Sequence, residues 1–147
     1  MKRVLVLLAT SLLWLSVIGQ TKFSYSSDVI KNFLSKEHPT CTFAQLDVKK
    51  TYLKSIPIFV GSRHITIDKE CLSISFGVLT DSHNSQYYRT YFVPYSLYEL
   101  GTLKEGNNIY YIDKWCGGPD FDTQGGSLDV KPWFVELISN IKVVKTQ

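Results

Sequence analysis

One stretch of the chain, Lys114 to Gly126, KWCGGPDFDTQGG, looks built around chemistry rather than around a core. Asp113, Asp120 and Asp122 bring hard oxygen donors close to paired glycines, and a calcium-type site needs several such oxygens converging on a loop that can wrap the ion. The spacing departs from the twelve-residue helix-loop-helix calcium motif, because Asp122 is followed by Thr123, Gln124 and Gly125 and no terminal Glu closes the loop. Glycine supplies positive φ and aspartate bonds its own backbone, so the same composition also builds a long turn. The stretch reads first as turn chemistry and second as a metal or ligand loop.

Acid–base chemistry would fall to the histidines. His64 and His83 could serve as acid–base groups, Asp81 stands two residues before His83, and a secreted hydrolase would set His64 or His83 against Asp120 or Asp122. Thr80 to Gln86, TDSHNSQ, is otherwise an ordinary polar connection, and no glycine-framed serine of the nucleophile-elbow type occurs. His38 stands at a helix end, where a cation favours the dipole.

The cysteines Cys41, Cys71 and Cys116 are three, an odd number, and no two are close enough in sequence for a zinc knuckle or a redox pair. In an oxidising compartment one bridge with one thiol left over is expected. Cys71 with Cys116 is the preferred pairing, closing a loop of 45 residues and contributing about 2–4 kcal/mol. The alternative is three unpaired thiols. No phosphate loop or metal-ligand spacing is present, so no cofactor is expected.

Tyrosine is the unusual bulk feature. Tyr87, Tyr88, Tyr91, Tyr95, Tyr98, Tyr110 and Tyr111 fall within 25 positions, and on strands their side chains alternate between faces, Tyr87 and Tyr91 on one and Tyr88 on the other. Left exposed, such rings form a low-entropy contact surface. Tyr87, Tyr88, Tyr91, Tyr110 and Trp115 are therefore the expected binding residues for a protein, peptide or glycan. The alternative places the hydroxyls in solvent at the margin of a helix-covered face.

Elements must position these residues. Val29, Ile30, Phe33 and Leu34 make one apolar stripe over Asp28 to Glu37, a short helix capped by Ser27 and ended before Pro39. Period-two alternation follows at Ala44, Leu46 and Val48, at Ile56, Ile58 and Val60, and at Ile65 and Ile67. The phase shifts after Asp68-Lys69-Glu70, to Leu72, Ile74, Phe76 and Val78, which predicts a tight hairpin there. Further strands are expected over Tyr87–Val93 and Asn108–Trp115, with Pro94 ending the former and a helical turn at Tyr95–Leu100. Pro132 opens a C-terminal helix to Val143. The alternative is a shorter helix broken at Ser139-Asn140 with a last strand after it. The expected class is α+β: a short N-terminal helix, an antiparallel meander of about five to six strands, and a C-terminal helix packed on the sheet.

The first nineteen residues set the compartment. Lys2 and Arg3 precede an uncharged apolar run, Val4 to Ile18, and Gly19 offers a small residue at the cleavage position. Fifteen such residues rise about 22 Å as a helix, short of a hydrocarbon core of about 30 Å, which favours a secretory signal over a retained membrane anchor. Cleavage leaves a single domain, residues 20–147, secreted or periplasmic, with no stable membrane span. Without Lys2 and Arg3 the 16 basic residues become 14 against 13 acidic, so +3 falls to +1. Nucleic-acid binding rests on clustered cations, and this near-neutral chain offers none beyond Lys49-Lys50. The expectation is a non-enzymatic exported binding domain, such as an inhibitor, immunity or cell-envelope accessory protein.

Overall fold

The computed structural model describes residues 21–58, 63–80, 86–116 and 123–145, so the apolar leader lies outside the described residues. What is described is a mixed fold, an antiparallel five-stranded sheet with three helices and a separate two-stranded ribbon.

Helix α1 (Ser27–Leu34) buries Ile30 and Leu34, four positions apart on one stripe. Its cap is Ser26 rather than Ser27: the Val29 N–H donates to Ser26 Oγ at 3.4 Å, which satisfies one of the donors every helix start leaves open. Strands β2 (Cys41–Ile58) and β3 (Arg63–Thr80) then form one long hairpin. The tight turn expected at Asp68-Lys69-Glu70 is not there. The phase change is a bulge inside β3, since Leu53 pairs with Lys69 while Ser55 pairs with Thr66, leaving two residues of β3 opposite one of β2. A second bulge falls on β2 between Ala44 and Asp47. Each bulge holds one residue in the left-handed region, Gln45 and Asp68, both with φ of 53°. Asp68 is of a type that tolerates that region better than most side chains, Gln45 is not, and the local twist the bulges add lets a hairpin of two eighteen-residue strands bend.

Strands β4 (Gln86–Pro94), β5 (Asn108–Trp115) and β6 (Thr123–Asp129) continue the meander, giving the order β2-β3-β4-β5-β6. The double glycine read as turn chemistry is therefore a strand: Gly125 pairs with Ile112 and Gly126 with Tyr111. Helix α2 (Tyr95–Glu99) follows Pro94 directly, and helix α3 (Pro132–Ser139) opens on its proline. The helix stops early because Ser139 Oγ and Asn140 Nδ2 both donate to the Glu136 carbonyl, at 2.7 and 2.8 Å, drawing that acceptor away from the helical ladder. The chain then enters β7 (Lys142–Val143), which pairs with β1 (Phe23–Ser24). The broken-helix reading of the C-terminus is the one the fold adopts. No helix among the described residues is long and apolar enough to cross a membrane.

The two faces of the sheet bury different things. On the first, Leu72, Ile74, Phe76 and Val78 of β3 lie beside Tyr87, Tyr91 and Val93 of β4, under Ile30 and Leu34 of α1 and Phe134, Leu137 and Ile138 of α3. Phe43, Phe76, Tyr91 and Phe134 run through this core as ring pairs 5.5, 5.8 and 5.2 Å apart, spacings at which edge and face of neighbouring rings attract. On the second face the bent hairpin carries Leu53 and Ile56 over Cys71 and Phe92, a small second core edged by Ile67, Tyr110 and Ile112. Polar side chains fill the remainder of that face in pairs: Ser73 with Thr51 at 3.0 Å and Ser75 with Thr90 at 2.9 Å.

Candidate functional site

Alternation along β4 puts Tyr87, Arg89, Tyr91 and Val93 on the helix-covered face, so Arg89 points toward a core. A charge there needs a partner. Register supplies it, because Arg89 pairs across the ladder with Asp113 of β5. Arg89 Nε donates to Asp113 Oδ1 at 2.7 Å and Nη2 to Oδ2 at 2.8 Å, a two-pronged ion pair whose side chains are only 16% and 12% exposed. The remaining nitrogen, Nη1, lies 3.2 Å from His38 Nε2 and donates to the Tyr91 hydroxyl at 3.4 Å. Three rings fence the guanidinium: Tyr111 at 4.8 Å, Tyr91 at 5.7 Å and Tyr87 at 5.8 Å, within the range where a cation is attracted to a ring face. Trp115, 37% exposed, stacks on Tyr87 at 4.7 Å and closes the rim.

The electrostatics follow from this packing. Burial acts to lower the Arg89 pKa, but its bonds to Asp113 and Tyr91 more than offset that, and the group is held cationic. His38 moves the other way: burial, then the facing Arg89 guanidinium, lower its pKa, while Glu37 and Asp113 act weakly against them. A neutral His38 whose Nε2 accepts from Arg89 is the consistent state. Burial raises Tyr87 and Tyr91, so both hydroxyls stay protonated.

Several sequence expectations change at this point. Tyr91 is 1% exposed and Tyr87 is buried, so neither is available for contact. Both belong to the core because α1 and α3 cover the face they share. Tyr110 is half-buried in the second core. Of the five expected contact residues, Tyr88 and Trp115 keep exposed rings, on opposite faces of the sheet, and the Tyr88 hydroxyl is engaged, donating to Gln45 Oε1 at 2.8 Å. Asp113, a weak metal candidate, has both oxygens on Arg89. No group of three or more metal-ligating side chains occurs among the described residues. His64 is exposed on β3 opposite Pro57, while His83, Asp120 and Asp122 lie outside the described residues.

The Cys71–Cys116 bridge is not formed, and all three cysteines are free. Cys71 pairs with Pro94 at one end of β4, and Cys116 follows Trp115, which pairs with Tyr87 seven residues away along the same strand. That separates them by about 23 Å at roughly 3.3 Å per residue, where a bridge needs Cα atoms within about 7 Å. Burial pushes the Cys71 thiol up to about 11, whereas Cys116 is exposed. A thiol reagent at mildly alkaline pH is therefore expected to label Cys116 at once and Cys71 only on unfolding. Equal labelling of the two in the native protein would contradict the placement of Cys71.

Arg89 and His38 were missed as site residues. The available signal was an arginine in phase with Tyr87 and Tyr91, since a cation on a core face calls for a carboxylate on the neighbouring strand. Comparison with protein-family models, with curated proteins and with solved structures finds no match to this chain.

Proposed function

We propose that the chain is an exported, non-enzymatic binding domain, in the manner of an inhibitor, immunity factor or cell-envelope accessory protein, and that it meets its partner at the rim around Trp115. One observation carries the reading: Trp115 keeps a third of its surface in solvent while its ring is held against buried Tyr87. A large aromatic side chain immobilised before binding contributes contact area without losing rotamer freedom on association. Tryptophan, tyrosine and arginine are also the residue types that dominate protein interfaces. The apolar leader, Val4 to Ile18, supports a secreted or periplasmic setting.

The hydrolase reading has less behind it. Among the described residues, His38 and Asp113 approach one another but are separated by Arg89, which donates to both oxygens of Asp113 and faces His38 Nε2. A general base needs a free lone pair within reach of a substrate proton.

Capture from the exported fraction, with wild type and Trp115→Ala side by side as bait, tests the proposal. The wild type is expected to retain a partner that the variant binds at least about tenfold more weakly, equivalent to about 1.4 kcal/mol, with both proteins melting alike. Equal retention by the two baits would remove Trp115 from the interface and the proposal with it.

A further inference from the structure

We infer that the contact between His38 and Arg89 is a pH-sensitive latch, which holds the connection between α1 and β2 on the sheet at neutral pH and releases it when the medium acidifies. The inference rests on the geometry of the polar cluster and stands whether or not Trp115 meets a partner.

His38 sits where the chain leaves α1 and enters β2, a corner also held by the Glu37 N–H bond to the Leu34 carbonyl and by the Glu37–Lys131 pair. Its carbonyl accepts from the Cys41 N–H at 3.2 Å and its own N–H donates to the Leu34 carbonyl at 3.1 Å. Its ring packs edge-on against Phe43 at 6.2 Å, and its Nε2 lies 3.2 Å from Arg89 Nη1. That last bond exists only while the imidazole is neutral. Protonation turns the acceptor into a donor, and two cationic groups then face each other nitrogen to nitrogen.

The groups around the ring decide whether anything rescues the protonated form. From β4 come Arg89 and the Tyr91 hydroxyl, which shares Nη1 and is itself protonated. From β5 comes Asp113, whose two oxygens are both taken by Arg89. From the turn after α1 comes Glu37, exposed and paired with Lys131 at 3.6 Å, at the start of α3. Both carboxylates favour the protonated ring, but burial and the facing guanidinium outweigh them. Arg89, with no acid–base alternative, stays charged throughout. The imidazole is therefore the member that leaves, swinging the Glu37–Cys41 connection off Phe43 and uncovering one edge of the guanidinium beside Tyr87.

The direction in pH is fixed by the lowered His38 pKa. A base whose pKa is lower when latched contributes its full stabilisation above the ordinary histidine value of about 6.5, and loses it as pH falls below that value toward the latched one.

Titration of the purified protein by ring-proton NMR, between roughly pH 7.5 and 5, reads the latch directly. His38 is expected to titrate below 6.5, and the resonances of Phe43, Tyr87 and the Arg89 Nε–H to follow the His38 midpoint. His38→Gln keeps a neutral acceptor for Nη1, so this variant should fold and show no shift of Phe43 or Arg89 over the same range. A His38 midpoint at or above 6.5, or a His38→Gln protein whose Phe43 and Arg89 signals move as in wild type, overturns the latch.

Discussion

Asp113→Ala is expected to lower stability by on the order of 3 kcal/mol, because it strands the Arg89 guanidinium on a largely buried face with its strongest acceptor removed. Arg89→Met strands the carboxylate in the same way and also takes the donor from His38 Nε2 and Tyr91. The double variant should be less destabilised than the sum of the two singles, since neither charge is then left uncompensated. Denaturant unfolding of the four proteins measures this coupling. The surface pairs supply the contrast: Lys50–Glu70 and Lys131–Glu37, each at 3.6 Å, have side chains 30–62% exposed, and Glu70→Gln should change stability by less than about 1 kcal/mol. Additive losses for Arg89 and Asp113, or an Asp113→Ala effect no larger than that of Glu70→Gln, would show the pair to behave like a surface bridge. With native stabilities commonly between about 5 and 15 kcal/mol, the Asp113→Ala loss would be a large fraction of the whole.

That pair also marks where sequence reading ends. The stripe of Val29, Ile30, Phe33 and Leu34 on α1 and the alternation of Leu72, Ile74, Phe76 and Val78 are local patterns; the fold buries all four of the strand residues but only Ile30 and Leu34 of the stripe, with Phe33 half-buried and Val29 exposed. The parity of the tyrosines is local as well: Tyr87 and Tyr91 do share a face and Tyr88 does take the other. Which face the helices cover is not local, and it turns Tyr91 from a contact residue into core. Register is not local either. Arg89 and Asp113 are twenty-four positions apart, and only the β4–β5 ladder sets them opposite one another. The phase change near Asp68 was visible, but its cause was not, because a bulge and a turn leave the same trace in the alternation until the partner strand is known. His38 was legible as a helix end. Its contact with Arg89, fifty-one positions away, was not.

Gly125 is the residue of the opening stretch on which the second face depends. A methyl group added there would sit 2.5 Å from the Pro57 carbonyl oxygen, 3.1 Å from the Tyr111 carbonyl oxygen and 3.3 Å from a methyl of Ile56. Two of these are backbone atoms and cannot rotate aside. The far end of β2 approaches β6 this closely only because the position carries no side chain. Gly125→Ala should therefore push Pro57 and Ile56 outward, opening the cover over Leu53, Cys71 and Phe92, with a loss of about 1–3 kcal/mol typical of overpacking. The neighbouring Gly126 provides the control. Its added methyl would meet the Tyr111 ring at 3.1 to 3.3 Å, side-chain atoms that can tilt away, so Gly126→Ala should cost less. The two mechanisms separate in the thiol assay as well as in the melt. In Gly125→Ala the Cys71 thiol should become reactive in the native protein, well before global unfolding, while in Gly126→Ala it should stay protected. A Gly125→Ala protein that melts with wild type and still shields Cys71 would mean that the end of β2 does not rest on β6.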